Sequence, residues 1–216
     1  MKNIFTYQTE LFAHITAPKK LCLAATACLF VLTSHAQILN GSFENGFTGW
    51  STTPGDFIIG TGPSLPVGTD GYYSADLGGG DITGAVLSQT FSNFAHGGTY
   101  RLDYDSASNV GYNAPSLITV WEVVISGDGQ QVTSQTLSQQ SIGFLNGSFG
   151  FVHQEMTFDI SPSVQNITVS FVDVTPNGGI KVDTALDQVV VTSVPEPGIF
   201  GLLALGGLTL LWRLRS

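Results

Sequence analysis

The chain has 216 residues, of which 11% are charged and 26 are glycine, with a formal net charge of −9 and a mean hydropathy of +0.23. That length fits one domain of ordinary size with addressing segments, and so few charges alongside 11% aromatic residues exclude an acidic disordered chain. The acidic balance argues against nucleic acid as a partner, and a high glycine content without a G-X-Y period excludes collagen in favour of many turns between short strands.

At the N-terminus, Lys19-Lys20, the apolar run Leu21 to Leu32 and Ser34-His35-Ala36 have the three parts of a secretory signal, with cleavage expected after Ala36. The apolar run is too short for the about 20 residues that a spanning helix needs. Met1 to Pro18, which contains Glu10, is either a long n-region or lies ahead of the true start. Both cysteines, Cys22 and Cys28, fall within this signal, so residues 37 onward can form no disulfide and must be held by their core. Cys28 follows Ala25-Thr26-Ala27 and not a triplet led by leucine, which disfavours lipidation.

Residues 37–193 read as one domain. From Gln37 to Val194 the strong bases are Arg101 and Lys181 against fourteen Asp and Glu, a formal charge of −12. Such a field suits calcium or repels anionic neighbours, and it also keeps an exported domain soluble. No helical period persists here. Short alternating runs of β-branched and aromatic residues, bounded by Gly, Asn, Pro and Ser, predict an all-β chain. The expected strands are Asp56 to Ile59, Tyr72 to Leu77, Ala85 to Phe91, Thr99 to Ser106, Leu117 to Ile125, Gln131 to Leu137, Val152 to Ile160, Asn166 to Val174 and Gln188 to Thr192. Their spacing suits a two-sheet antiparallel sandwich. Ser126-Gly127-Asp128-Gly129 supplies residues that tolerate positive φ for a hairpin between the fifth and sixth strands.

For sugar binding the needed parts are aromatic faces and orienting polar groups. Tyr72, Tyr73, Tyr112 and Trp121 are the candidates, although Trp121, between Val120 and Glu122 in an apolar strand, and Trp50, after a glycine, also suit the core. An enzyme reading rests on Asp103 and Asp105, about 7 Å apart on one strand face. Arg101 shares that face, so the alternative is a charge-compensated polar surface. His96 and His153 have no spaced partner suggesting zinc, and residues 37–194 hold no cysteine and no G-x-S-x-G elbow. Asn40, Asn146 and Asn166 each open an N-x-S or N-x-T triplet, which says little without an assured glycosyltransferase.

The C-terminus reads Val194-Pro195-Glu196-Pro197, where two prolines break the preceding strand, then an apolar stretch from Gly198 to Trp212, then Arg213 and Arg215. On hydropathy, residues 198–212 are expected as a marginal membrane helix with the arginines on its cytoplasmic flank. The order of these parts resembles the PEP-CTERM sorting signal of bacterial exported proteins, over residues 194–216. That resemblance implies an exosortase-type processing enzyme as partner, a temporary membrane anchor, and a destination at the cell surface or extracellular matrix, where such proteins accompany exopolysaccharide.

Within the domain, Asn40-Gly41-Ser42-Phe43-Glu44 with Gly49-Trp50, Ser88-Gln89-Thr90-Phe91, Gly98-Thr99-Tyr100-Arg101-Leu102 and the closing Ala185-Leu186-Asp187-Gln188-Val189-Val190-Val191 resemble the galactose-binding-like and carbohydrate-binding-module jelly rolls. The resemblance implies a jelly-roll sandwich, non-catalytic binding of extracellular polysaccharide, and a structural calcium held by Glu44 and Asp187. Gln188, where the family often has a second acid, departs from that pattern. The other readings are a structural or adhesive matrix protein that contacts proteins, and a glycan-active hydrolase.

Overall fold

The computed structural model describes residues 38–60, 69–78, 84–92, 94, 97–110, 118–140, 150–176 and 182–194. The chain divides into two compact units, Met1–Thr33 and Ser34–Ser216, and every described residue belongs to the second. The signal at 1–36, Tyr112, Pro195, Glu196, Pro197, Arg213 and Arg215 lie outside the described residues.

Among the described residues nine strands follow one another: β1 (Phe57–Gly60), β2 (Tyr73–Leu77), β3 (Val86–Phe91), β4 (Gly98–Val110), β5 (Ile118–Gly127), β6 (Gln130–Gln140), β7 (Val152–Ile160), β8 (Ile167–Asp173) and β9 (Val182–Ser193). They form two antiparallel sheets, ordered β1-β2-β9-β4-β7 and β3-β8-β5-β6. All nine expected strands are present. Alternation explains the layering: along β5, Thr119, Trp121, Val123 and Ile125 are buried while their neighbours are not, and β8 repeats the pattern with Ile167, Val169 and Phe171. The inner faces close over one apolar core. At its centre the Trp121 indole N–H donates to the Tyr104 hydroxyl at 3.1 Å, so neither ring leaves its polar atom unpaired. Burial pushes the Tyr104 phenol up to about 12.

The β5–β6 hairpin turns at Asp128 and Gly129, both left-handed (φ 48° and 79°), which is the type I′ geometry that matches strand twist. The Asp128 carboxylate accepts the amides of Gln165 and Asn166, at 3.0 and 2.9 Å, and fastens this turn to the one before β8. On the β3 edge, Ser51 exchanges two backbone hydrogen bonds with Ser88, and the Gln89 side chain pairs with both backbone groups of Leu39.

Strand β9 begins six residues before the expected Gln188 because of a bulge. Asp103 faces Val190 and Asp105 faces Asp187, so Gln188 and Val189 together oppose Tyr104, with Gln188 left-handed at φ 52°. The extra residue resets the in–out alternation, and the earlier half of β9 does not continue the pattern of the later half.

The expectation of a C-terminal membrane helix is corrected. Among the described residues every regular element is a strand, and no helix is long and apolar enough to cross a membrane. The apolar character of 198–212 argued for a span through hydropathy alone, and that stretch lies outside the described residues. Among the described residues the fold is an all-β sandwich with no membrane-crossing helix, and the expectations of the membrane as a partner and of membrane anchoring are corrected on that finding.

Candidate functional site

The strand-free opening of the domain is built by Asn40. Its backbone is left-handed (φ 52°), its side-chain amide donates to the Gly46 carbonyl at 2.7 Å, its side-chain oxygen accepts the Asn45 amide at 3.1 Å, and its own carbonyl accepts the Trp50 indole N–H at 3.2 Å. This coil drives Phe43 into the core, where its ring lies 5.3 Å from that of Trp50. Burial of Phe43 fixes the direction of the adjacent Glu44. The Glu44 Oε1 accepts the backbone amides of Tyr72 and Tyr73, at 2.6 and 2.7 Å. Gly71 (φ 113°) makes the approach possible, since a Cβ there would run into the Glu44 carboxylate.

Asp187 holds the same turn from the other end of the chain. It is fully buried on the residue just before the β9 bulge, and its Oδ2 accepts the amides of Thr69 at 2.6 Å and Asp70 at 3.1 Å and the Thr69 hydroxyl at 3.3 Å. Its Oδ1 accepts the Gln188 amide at 2.7 Å. Burial nevertheless outweighs these hydrogen bonds and raises the carboxyl from its ordinary 3.8 to about 6. The first and last parts of the domain also touch directly, for the Val189 amide donates to the Gly41 carbonyl at 3.0 Å, and a Cβ on Gly41 would collide with the Val189 backbone.

Glu44 and Asp187, paired in the sequence reading as metal ligands, thus grip one turn, Thr69 to Tyr73. A hard cation would engage their oxygens and draw the rest of its six to eight ligands from backbone carbonyls. The described partners of the buried Asp187 carboxylate are amides and a hydroxyl, three donors on Oδ2 and one on Oδ1, with no cation to balance its charge. Among the described residues no group of three or more His, Cys, Asp or Glu could hold a metal ion.

The same turn carries two of the expected aromatic candidates. Tyr72 and Tyr73 are 50% and 37% exposed, with ring centroids 5.0 Å apart at 76°, edge to face. Trp121 is corrected from ligand platform to core residue: it is fully buried and spends its N–H on Tyr104. Tyr112 lies outside the described residues.

On the outer face of the five-stranded sheet, β4 and β7 form a charged ladder. Arg101 Nε lies 2.8 Å from Asp103 Oδ2, and Arg101 Nη1 lies 3.9 Å from Glu155. His153 bridges Asp105 at 3.0 Å and Asp103 at 3.4 Å. The hydrogen bond with Asp105 raises the His153 pKa above its ordinary value. The sequence placed Arg101, Asp103 and Asp105 on one face but gave no sign of His153, whose approach depends on the β4–β7 register, Asp105 opposite His153. Thr69 and Asp70 were missed as well, since their contribution is through backbone amides.

Residues 193–216 match the PEP-CTERM protein-sorting motif. No curated protein matches the sequence. Among solved structures the chain is similar to a family 61 carbohydrate-binding module in complex with beta-1,4-galactotriose, at 16% identity and a TM-score of 0.51, covering 74% of this chain and 99% of that one. It is also similar to a family 35 carbohydrate-binding module from Paenibacillus barcinonensis, at 15% identity and a TM-score of 0.46, covering 68% of this chain and 95% of that one. At such identities the likeness is one of fold. The chain therefore carries a PEP-CTERM sorting motif behind a β-sandwich whose fold resembles that of a carbohydrate-binding module.

Proposed function

We propose that this protein is an exported, non-catalytic sugar-binding domain that attaches to or organises extracellular polysaccharide, with its C-terminal motif presented to an exosortase-type processing enzyme. The observation that carries the sugar-binding part is the Tyr72–Tyr73 pair, exposed on a turn that two carboxylates hold by four backbone amides. Aromatic faces fixed in advance stack on pyranose rings at little entropic cost, and the neighbouring polar backbone orients hydroxyls. A hydrolase using Asp103 or Asp105 is disfavoured, since both carboxylates are occupied by Arg101 and His153 in a charge-compensated ladder.

Calcium belongs to the same proposal, with Glu44 and Asp187 as its side-chain ligands and stiffening of the tyrosine turn as its effect. It would supply the positive charge that the buried Asp187 lacks. Thermal unfolding tests this part: calcium raises the Tm of the parent and leaves Asp187→Ala unchanged, because a ligand bound only by the folded state stabilises it by mass action. Equal Tm values with calcium and with chelator would remove calcium from the proposal. The sugar-binding part is tested by retardation of the purified protein in gels containing polysaccharide from its own biofilm, where Tyr72→Ala and Tyr73→Ala are expected to migrate as in sugar-free gels.

A further inference from the structure

A sheet edge exposes unpaired backbone donors and acceptors, and soluble proteins normally defend it by brevity, charge, a bulge or a cover. Three of the four edges of this sandwich are defended. Strand β1 has only four residues, β7 carries Glu155 and Asp159, and β3 is bridged by Ser51 and flanked by Leu39. The fourth edge, β6, has eleven residues, QQVTSQTLSQQ, and no strand of the described residues pairs on its outer side.

In this acidic chain β6 lies within a stretch, Gly129 to Gln154, that has no Asp, Glu, Lys or Arg. A bulge at Val132 protects its first residues, but from Thr133 to Gln140 the register with β5 is unbroken. The strand is also close to a palindrome. Turned end for end about Gln135, it sets Ser134 against Thr136 and Thr133 against Leu137, with Gln135 against itself. The side-chain faces agree in this register, because the half-buried Thr133 and Leu137 share the inner face. Leu137, only partly buried in one copy, gains cover from Thr133 of the second.

We propose that β6 is a self-association edge, which pairs antiparallel with β6 of a second copy of this chain and joins two four-stranded sheets into one. The facing pairs are all uncharged, Ser, Thr and Gln with Leu137 and Val132, so two acidic domains meet along a line without repulsion between opposed charges. The interface is isologous, and since the opposite edge, β3, is covered, association closes at a dimer and does not propagate into a fibre.

Sedimentation velocity of the purified full chain over concentrations up to about 1 mM tests this. The parent is expected to pass from monomer to dimer and to stop there. Gln135→Lys puts two ammonium groups opposite each other at the twofold axis, and it should weaken the dimer at least about tenfold, with an unchanged Tm at concentrations where the parent is monomeric. The double variant Ser134→Asp with Thr136→Lys places opposite charges across the junction twice and should retain the dimer. A parent that stays monomeric throughout would overturn the proposal, and so would a dimer indifferent to Gln135→Lys.

Discussion

At the scale of single residues, Asp187 is the most informative group. Between the ordinary carboxyl value of 3.8 and its folded value of about 6, the native state holds a proton that the unfolded chain has released. Stability without calcium therefore falls as pH rises through that window, by about 3 kcal/mol for a shift of this size, and levels off above it. His153, whose pKa is raised by Asp105, adds a smaller loss in the same direction as pH climbs past its ordinary 6.5. Chelator-treated protein is expected to melt higher near pH 4 than near pH 7, and Asp187→Asn, which cannot titrate, should lessen that slope, leaving the share of Asp56 and Asp173, which burial also raises; a flat parental profile would refute the burial argument. Glu44→Ala strips an acceptor from two amides at once and should cost about 2 kcal/mol in denaturant unfolding. The sequence named Glu44 and Asp187 through their motifs, but the purpose of each became visible only with the turn they share. Trp121 was ambiguous for a related reason: an aromatic on an alternating strand is core or platform according to which sheet covers that face, and period two alone does not say.

At the scale of elements, all nine strands were legible because their alternation and the glycine, proline and asparagine breaks between them are local signals. The start of β9 was not, since a bulge is a matter of pairing and Gln188 bears no local mark of its left-handed backbone. The bulge is where Gly41 crosses β9, so the first and last parts of the domain are stitched at the same point where Asp187 turns toward the tyrosine loop. Gly41→Ala is expected to destabilise the domain, because the obstacle to a Cβ is the Val189 backbone, which has no rotamer with which to yield. A Tm equal to the parent's would contradict a close backbone crossing at Gly41. Tyr104→Phe leaves the Trp121 indole N–H buried without its acceptor and should cost about 1–3 kcal/mol in the same unfolding assay.

At the scale of the whole molecule, the chain without described cysteines closes its domain through carboxylates and backbone crossings at its ends, and it presents a stiffened aromatic turn outward. The sorting motif was legible in the order of its C-terminal parts, while the membrane helix inferred from hydropathy was not sustained among the described residues. Replacing Pro195-Glu196-Pro197 by alanines should leave the C-terminal tail on the protein recovered from the producing cell, as read by intact-mass spectrometry; loss of the tail regardless would separate the motif from processing. Sugar binding is the central claim, and titration calorimetry of the purified protein with extracellular polysaccharide from its own biofilm tests it most directly, alongside Tyr72→Ala and Tyr73→Ala variants of parental Tm. Saturable binding that either variant weakens at least about tenfold is the predicted result. No heat of binding in the parent, or equal binding by parent and both variants, would contradict it.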